Sequence, residues 1–218
     1  MPNDQRFQSC PLCSSQAEQF LNIDRKDYFR CPNCMLRFVD AAARPVPDDE
    51  HAHYLHHENH VEDPRYRAFL SRLADPLQKV LRAGSKGLDY GCGPGPALAA
   101  MLREAGHDMQ IYDPFFAPDA TPLEQAYDVI TCTEVAEHFH NPAAEFDRLF
   151  QMLKPGGTLG LMTCFQTEDA RFANWHYRKD PTHVVFYKIE TIHWIARKYG
   201  FSVKVPVKDV AIMFQNET

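Results

Sequence analysis

The chain of 218 residues has no apolar run approaching the length of a membrane span, and its polar N-terminus lacks the apolar core of a signal peptide. Both absences point to a cytoplasmic protein without a membrane partner. There are no internal repeats and no low-complexity tracts. The chain also lacks the positive surplus of a protein that binds nucleic acid over its whole surface: 23 Lys and Arg stand against 29 Asp and Glu, a net charge of −6. Lys and Arg are missing altogether from residues 45–64, which hold six acids (Asp48, Asp49, Glu50, Glu58, Glu62, Asp63). They gather instead in residues 171–208, where eight bases accompany only Asp180 and Glu190. The two patches read as solvated faces, or the second as a basic rim for an anionic substrate. The length suits one medium α/β domain with a small appendage.

Four of the seven cysteines form two pairs, Cys10-Pro11-Leu12-Cys13 and Cys31-Pro32-Asn33-Cys34. Each pair can turn two thiolates toward one ion, and two such knuckles complete the closed tetrahedral sulfur shell of structural Zn2+. An iron site is the competing metal. A ribbon over residues 1–45 has too little core to fold without metal, and a closed shell leaves no position for catalysis. Cys92, Cys132 and Cys164 fall on or beside expected strands and read as small buried residues. His53/His57 and His56/His60 are spaced i, i+4, but no third ligand is evident, so a plain helix or loop is expected there.

Residues 41–50, with two prolines and three acids, read as a linker. The apolar spacing from Tyr66 to Leu81 predicts a helix with a kink or break at Pro76, so that residues 46–85 form a linker and a helical lid. From residue 86 onward strands alternate with helices, the pattern of a mostly parallel sheet. Strands are expected at 87–90, 109–112, 127–132, 158–165, 201–207 and 210–214. Asn141 is expected to cap a helix beginning at Pro142, and Gly200 to end another. Lys154-Pro155-Gly156-Gly157 reads as a tight turn.

The first of these strands runs into Asp89-Tyr90-Gly91-Cys92-Gly93-Pro94-Gly95. Glycine lets a backbone turn sharply and approach a ligand closely. A dinucleotide fingerprint would place glycines at 91, 93 and 96, but position 96 is proline. This loop, Asp113 closing the second strand, Tyr127-Asp128-Val129-Ile130, Glu134-Val135-Ala136-Glu137-His138 and Leu153-Lys154-Pro155-Gly156-Gly157 together resemble the class I S-adenosylmethionine-dependent methyltransferases. The resemblance covers about residues 86–217. It implies a Rossmann-like α/β sheet with a terminal antiparallel hairpin, joined here to an N-terminal zinc ribbon. It implies S-adenosyl-L-methionine as cofactor, held by Asp89, Gly91, Cys92, Gly93, Gly95, Asp113, Pro114, Thr133 and Glu134. The carboxylate of Asp113 would accept both ribose hydroxyls. One departure stands out: residues 114–126 are too few for the usual third strand and helix. The adenine contact is therefore left between Asp119, Thr121 and a backbone group, and the sheet is expected to lack an edge strand.

Methyl transfer from a sulfonium needs mainly orientation, with a base only where the acceptor keeps its proton. Candidate bases are His183, His138 and Glu137. Trp175, His176, Tyr177 and Asp180 fall where this class carries substrate-binding insertions. The expected reaction is methylation of a small-molecule or carrier-bound metabolite. The alternatives are an RNA or protein methyltransferase that docks its substrate on the ribbon, and a non-catalytic cofactor-binding protein.

Overall fold

The computed structural model describes residues 7–55 and 60–215. Four short strands build the N-terminal ribbon: β1 (Phe7–Ser9), β2 (Gln16–Ile23), β3 (Lys26–Arg30) and β4 (Arg37–Val39), each antiparallel to the next. The expected linker is not extended chain. It forms a 3-10 turn at Ala41–Ala43 and then helix α1 (Pro47–Tyr54). Pro47 suits a first helical position, and Asp48, Asp49 and Glu50 lie in the first turn, where the helix dipole favours acids. The imidazoles at 56 and 57 lie outside the described residues.

Helix α2 (Pro64–Gln78) runs through Pro76 without the expected break. Leu70, Leu73, Ala74 and Leu77 are all buried, so packing holds both sides of the proline together. Pro76 sits in the last turn, where its missing N–H costs one helical hydrogen bond.

The main sheet contains β5 (Lys86–Tyr90), β6 (Asp108–Tyr112), β7 (Tyr127–Thr133), β8 (Leu153–Met162), β10 (Phe201–Lys204) and β11 (Val210–Gln215), in the order β10-β11-β8-β7-β5-β6. Pairs β6-β5, β5-β7 and β7-β8 are parallel, whereas β8-β11 and β11-β10 are antiparallel. The mostly parallel sheet with a terminal hairpin therefore stands as expected. No strand separates β6 from β7 among the described residues, and β6 is the sheet edge. The Lys154–Gly157 turn is not outside the strand. It bulges within β8, which already pairs with Tyr127 at Leu153 and resumes opposite Val129 at Thr158. The strand ends at Met162 rather than 165, where Thr163 and Phe165 turn their N–H groups to Asp209.

Helix α3 (Ala97–Glu104) and α2 cover one face of the sheet. The other face carries α4 (Pro142–Gln151), capped by Asn141 Oδ1 accepting from the Ala144 N–H, and α6 (Ile189–Tyr199), which ends at Gly200. Between β8 and α6 the chain forms α5 (Asp169–Phe172) and β9 (Val185–Phe186). Strand β9 leaves the main sheet and pairs antiparallel with β4 as the fifth strand of the ribbon. One apolar core accordingly runs from Phe29, Leu36 and Phe38 through Phe172 and Phe186 to Tyr187 and Phe146.

Candidate active site

The loop after β5 bends at Gly91, where φ is +75°. A Cβ there would lie 2.4 Å from Val135 Cγ2, so both the turn and the space exclude a side chain. The N–H groups of Gly91 and Cys92 donate to the Tyr112 carbonyl at the end of β6. Asp113, one residue on, is buried. Its Oδ2 accepts from the Gly93 N–H at 3.0 Å, and its Oδ1 accepts from Phe115 and Phe116 N–H at 2.8 and 3.0 Å. One carboxylate thus ties the glycine loop to the loop that replaces the missing strand.

These groups form one end of a cavity of about 1020 Å³. Gly91, Cys92, Gly93, Asp113, Pro114, Thr133, Glu134, Glu137, His138, Asp180 and His183 all line it. Asp89 and Gly95 are not among its lining residues. The Asp89 carboxylate is turned inward and accepts from Thr131 Oγ1 at 2.7 Å. Trp175, His176 and Tyr177 also stand away from the cavity wall. Trp175 packs among Phe172, Phe186 and Tyr177, and His176 is exposed. Sequence reasoning missed other lining groups: Tyr54 of α1, Tyr66 and Phe69 of α2, and Tyr90, Tyr112, Glu145 and Arg148 beside the open edge. Tyr90 Oη donates to Glu145 and accepts from Arg148 Nη1 at 3.2 Å. The aromatic pair Phe115-Phe116 signalled a stacking surface, and His51 of α1 stacks on Phe115 with ring centroids 5.0 Å apart.

After β7 the chain turns sharply, which brings Val135 against Gly91. Glu134 has φ +51°, a left-handed conformation that costs a non-glycine residue about 1–2 kcal/mol. Two carboxyl groups meet there. Tyr177 Oη donates to Glu137 and lies 3.2 Å from Glu134 Oε2 and 3.1 Å from Thr163 Oγ1. Burial, and then the charge of Glu137, pushes Glu134 up to about 9. Glu137, fully buried, is raised by the same desolvation, against the pull of His183 and Tyr177. Two like charges this close do not both ionise readily.

The two histidines are fixed by carbonyls. His183 Nδ1 lies 2.7 Å from the Tyr177 oxygen, and His138 Nδ1 lies 3.0 Å from the Thr182 oxygen. A carbonyl only accepts, so each Nδ1 carries a proton, and a neutral ring in this orientation keeps its lone pair on Nε2. The rings meet edge to face at 4.8 Å. Burial lowers His183, opposing the charge of Glu137, which favours the imidazolium. Burial alone would raise Asp180. Hydrogen bonds from Thr182 Oγ1 and N, with His183 and His53 nearby, instead hold it at about 2.

A carboxyl group whose pKa rises on folding binds its proton more tightly in the native state. Stability then falls as pH rises from the unfolded value, about 4.3, toward the native one. Glu137→Gln removes that loss, so its Tm is expected to gain on the wild type as pH rises above about 4.3. A Tm difference that stays constant over this range in thermal melts would show that Glu137 does not titrate this way.

In the ribbon, Cys10 Sγ lies 3.5 Å from Cys34 Sγ, and Cys13 Sγ lies 3.4 Å from Cys31 Sγ. All four sulfurs fall within 4.8 Å of one another. Thiolates about 2.3 Å from a central zinc would stand roughly 3.8 Å apart, so the donor set fits that ion.

Residues 54–204 match the family model described as Methyltransferase domain, and the chain belongs to that family. The ubiquinone biosynthesis O-methyltransferase of Psychrobacter cryohalolentis is 31% identical over 132 residues, covering 48% of this chain and 51% of the relative. Its counterpart in Salmonella arizonae is 29% identical over 157 residues, covering 52% and 64%. The chain thus spans about half the length of the first of these relatives. Among solved structures, an O-methyltransferase family protein from Burkholderia thailandensis superposes with a TM-score of 0.53 at 20% identity, over 81% of this chain and 65% of that one. The class is therefore that of proteins carrying an S-adenosylmethionine-dependent methyltransferase domain.

Proposed function

We propose that the chain transfers a methyl group from S-adenosylmethionine to a small-molecule or carrier-bound acceptor. The observation that carries this reading is one cavity lined by the Gly91–Gly93 bend, Asp113 and the His138–His183 pair together. The name shared by the curated relatives supports a small-molecule acceptor. When bound, the cofactor supplies an electrophilic methyl on a sulfonium that leaves as a neutral thioether.

The chain's own groups divide the remaining work. The bent backbone of Gly91 and Gly93 admits the amino-acid tail, and Asp113 accepts from the ribose. Glu134, a carboxyl group in the same cavity wall, would favour the cofactor's positive charge once ionised. His183, neutral and anchored through Nδ1–H, receives a proton at Nε2 from an acceptor hydroxyl or amine. Glu137, fully buried in the cavity wall, accepts from Tyr177 Oη and positions that hydroxyl rather than serving as the base. Cys10, Cys13, Cys31 and Cys34 would hold structural zinc, with no role in the chemistry.

Calorimetry on purified protein is expected to find S-adenosylhomocysteine bound. Labelled S-adenosylmethionine should then mark an acceptor in a mass-resolved metabolite extract. Removing a general base lowers rates by about 10²–10⁴, so His183→Ala should cut turnover by about that factor and leave S-adenosylhomocysteine affinity nearly unchanged. No binding of S-adenosylhomocysteine at millimolar concentration would overturn the reading.

A further inference from the structure

One peptide joins the ribbon directly to the residues beside His183 and Glu137 in the cavity wall. The Val184 N–H donates to the Glu137 carbonyl at 2.9 Å, and the Val184 carbonyl accepts from the Val39 N–H at 3.0 Å. Val184 follows His183 directly, and Val39 ends β4, five residues after Cys34. The Cys31 N–H in turn donates to the Leu36 carbonyl just before β4. A second link joins the other knuckle to the first turn of α4: the Pro11 carbonyl accepts from the Ala143 N–H at 3.3 Å. A third is a bidentate ion pair between buried Arg37 and Asp169 of α5, with both N–O distances 2.9 Å. The cofactor end has none of these links among the hydrogen bonds described for it. The hydrogen bonds described for Gly91, Cys92, Gly93 and Asp113 run among themselves, to Tyr112 at the end of β6 and to residues 115–117.

We propose that the metal ribbon is the positioning element of the acceptor end: the ion holds β4, β4 holds Val184, and Val184 sets His183 and Glu137. The inference rests on the zinc reading of the four cysteines. It gives the ribbon a task inside the catalytic half, separate from docking a macromolecule. It also predicts a split, in which losing the ribbon's order disturbs His183 and spares cofactor binding. Hydrogen-bonded strands transmit such order because a two-residue strand has no independent stability.

Two variants of the full chain test this in a Trp194→Phe background, so that Trp175, packed on Phe186, is the only tryptophan. In the first, zinc is stripped with a chelator and its loss measured by elemental analysis. In the second, Val39→Pro deletes the one N–H that reaches Val184 and leaves all four cysteines in place. Both are expected to red-shift Trp175 emission, to move the His183 imidazole NMR resonance, and to raise hydrogen exchange at the Val184 amide at least tenfold. The Kd for S-adenosylhomocysteine should stay within threefold of the wild type. Unchanged Trp175 and His183 signals in either variant would overturn the proposal. So would a parallel loss of S-adenosylhomocysteine binding, which would make the ribbon a support of the whole fold. Absence of zinc from the native protein would remove the first link and overturn it as well. If the untreated protein fails to bind S-adenosylhomocysteine, the cofactor reading falls instead, and the Trp175 and His183 signals still judge the ribbon.

Discussion

Asp113→Ala is expected to weaken S-adenosylhomocysteine binding by at least about a hundredfold, the largest loss for any single side chain in the cavity. The carboxylate holds three backbone N–H groups, two from residues 115–116 and one from Gly93, and it faces the space where the ribose would lie. Charge-assisted hydrogen bonds contribute about 1.5–3 kcal/mol each, and about 1.4 kcal/mol is tenfold in Kd. Losing two of them on the ligand side therefore removes at least two orders of magnitude, before any loosening of the glycine loop. Asp113→Asn should fall between wild type and alanine, because an amide keeps one accepting oxygen and adds an N–H that faces other donors. Titration calorimetry decides the matter. An alanine variant binding within fivefold of wild type would mean that Asp113 serves only the loop.

Gly91→Ala is expected to lower stability by about 2–4 kcal/mol and to abolish cofactor binding. About 1 kcal/mol comes from forcing alanine to a positive φ, and the rest from the methyl meeting Val135. For a domain of this size each kcal/mol shifts Tm by about 2–4 °C, so a fall of roughly 5–15 °C is expected. Val135→Ala added to Gly91→Ala should recover about half the loss, because it relieves the overlap and leaves the strain. Gly93 provides the contrast. Its φ is +63° and no atom stands within 4 Å of a Cβ built there, so Gly93→Ala should cost only about 1 kcal/mol. Thermal melts of the four proteins check the pattern. Equal losses at 91 and 93 would show that crowding by Val135 has no part.

Features written in local chemistry were legible from the residues. The paired cysteines, the glycine bend, the strands expected at 87–90 and 127–132 and found one residue longer each, the Asn141 cap and the Gly200 stop all depend on neighbours close in sequence. The short span 114–126 also gave the missing edge strand, because thirteen residues cannot hold a strand and a crossover helix. What escaped notice depends on distant partners. Nothing about Val185-Phe186 alone announces a strand; β4 makes it one. Tyr177 fell among the expected substrate-binding residues, yet its hydroxyl is drawn inward by two carboxyl groups on another loop. Pro76 should break a helix on propensity, but the apolar face of α2 is buried on both sides of it. In the candidate site, the glycine-loop end was therefore the more readable, since its glycines and Asp113 follow directly from strand ends. The other end is assembled from the ribbon, the loop after β7 and the insertion after β8.

The shared core has a practical consequence for anyone wishing to shorten the gene. Phe172 and Phe186 lie against Tyr28, with ring centroids 5.2 and 6.3 Å away. A polypeptide begun at residue 46 would turn those rings and a bare strand margin toward water. Such a product would be sticky rather than minimal, and the same surface would penalise any ancestral or engineered exchange that swapped the front module without its matching aromatic face.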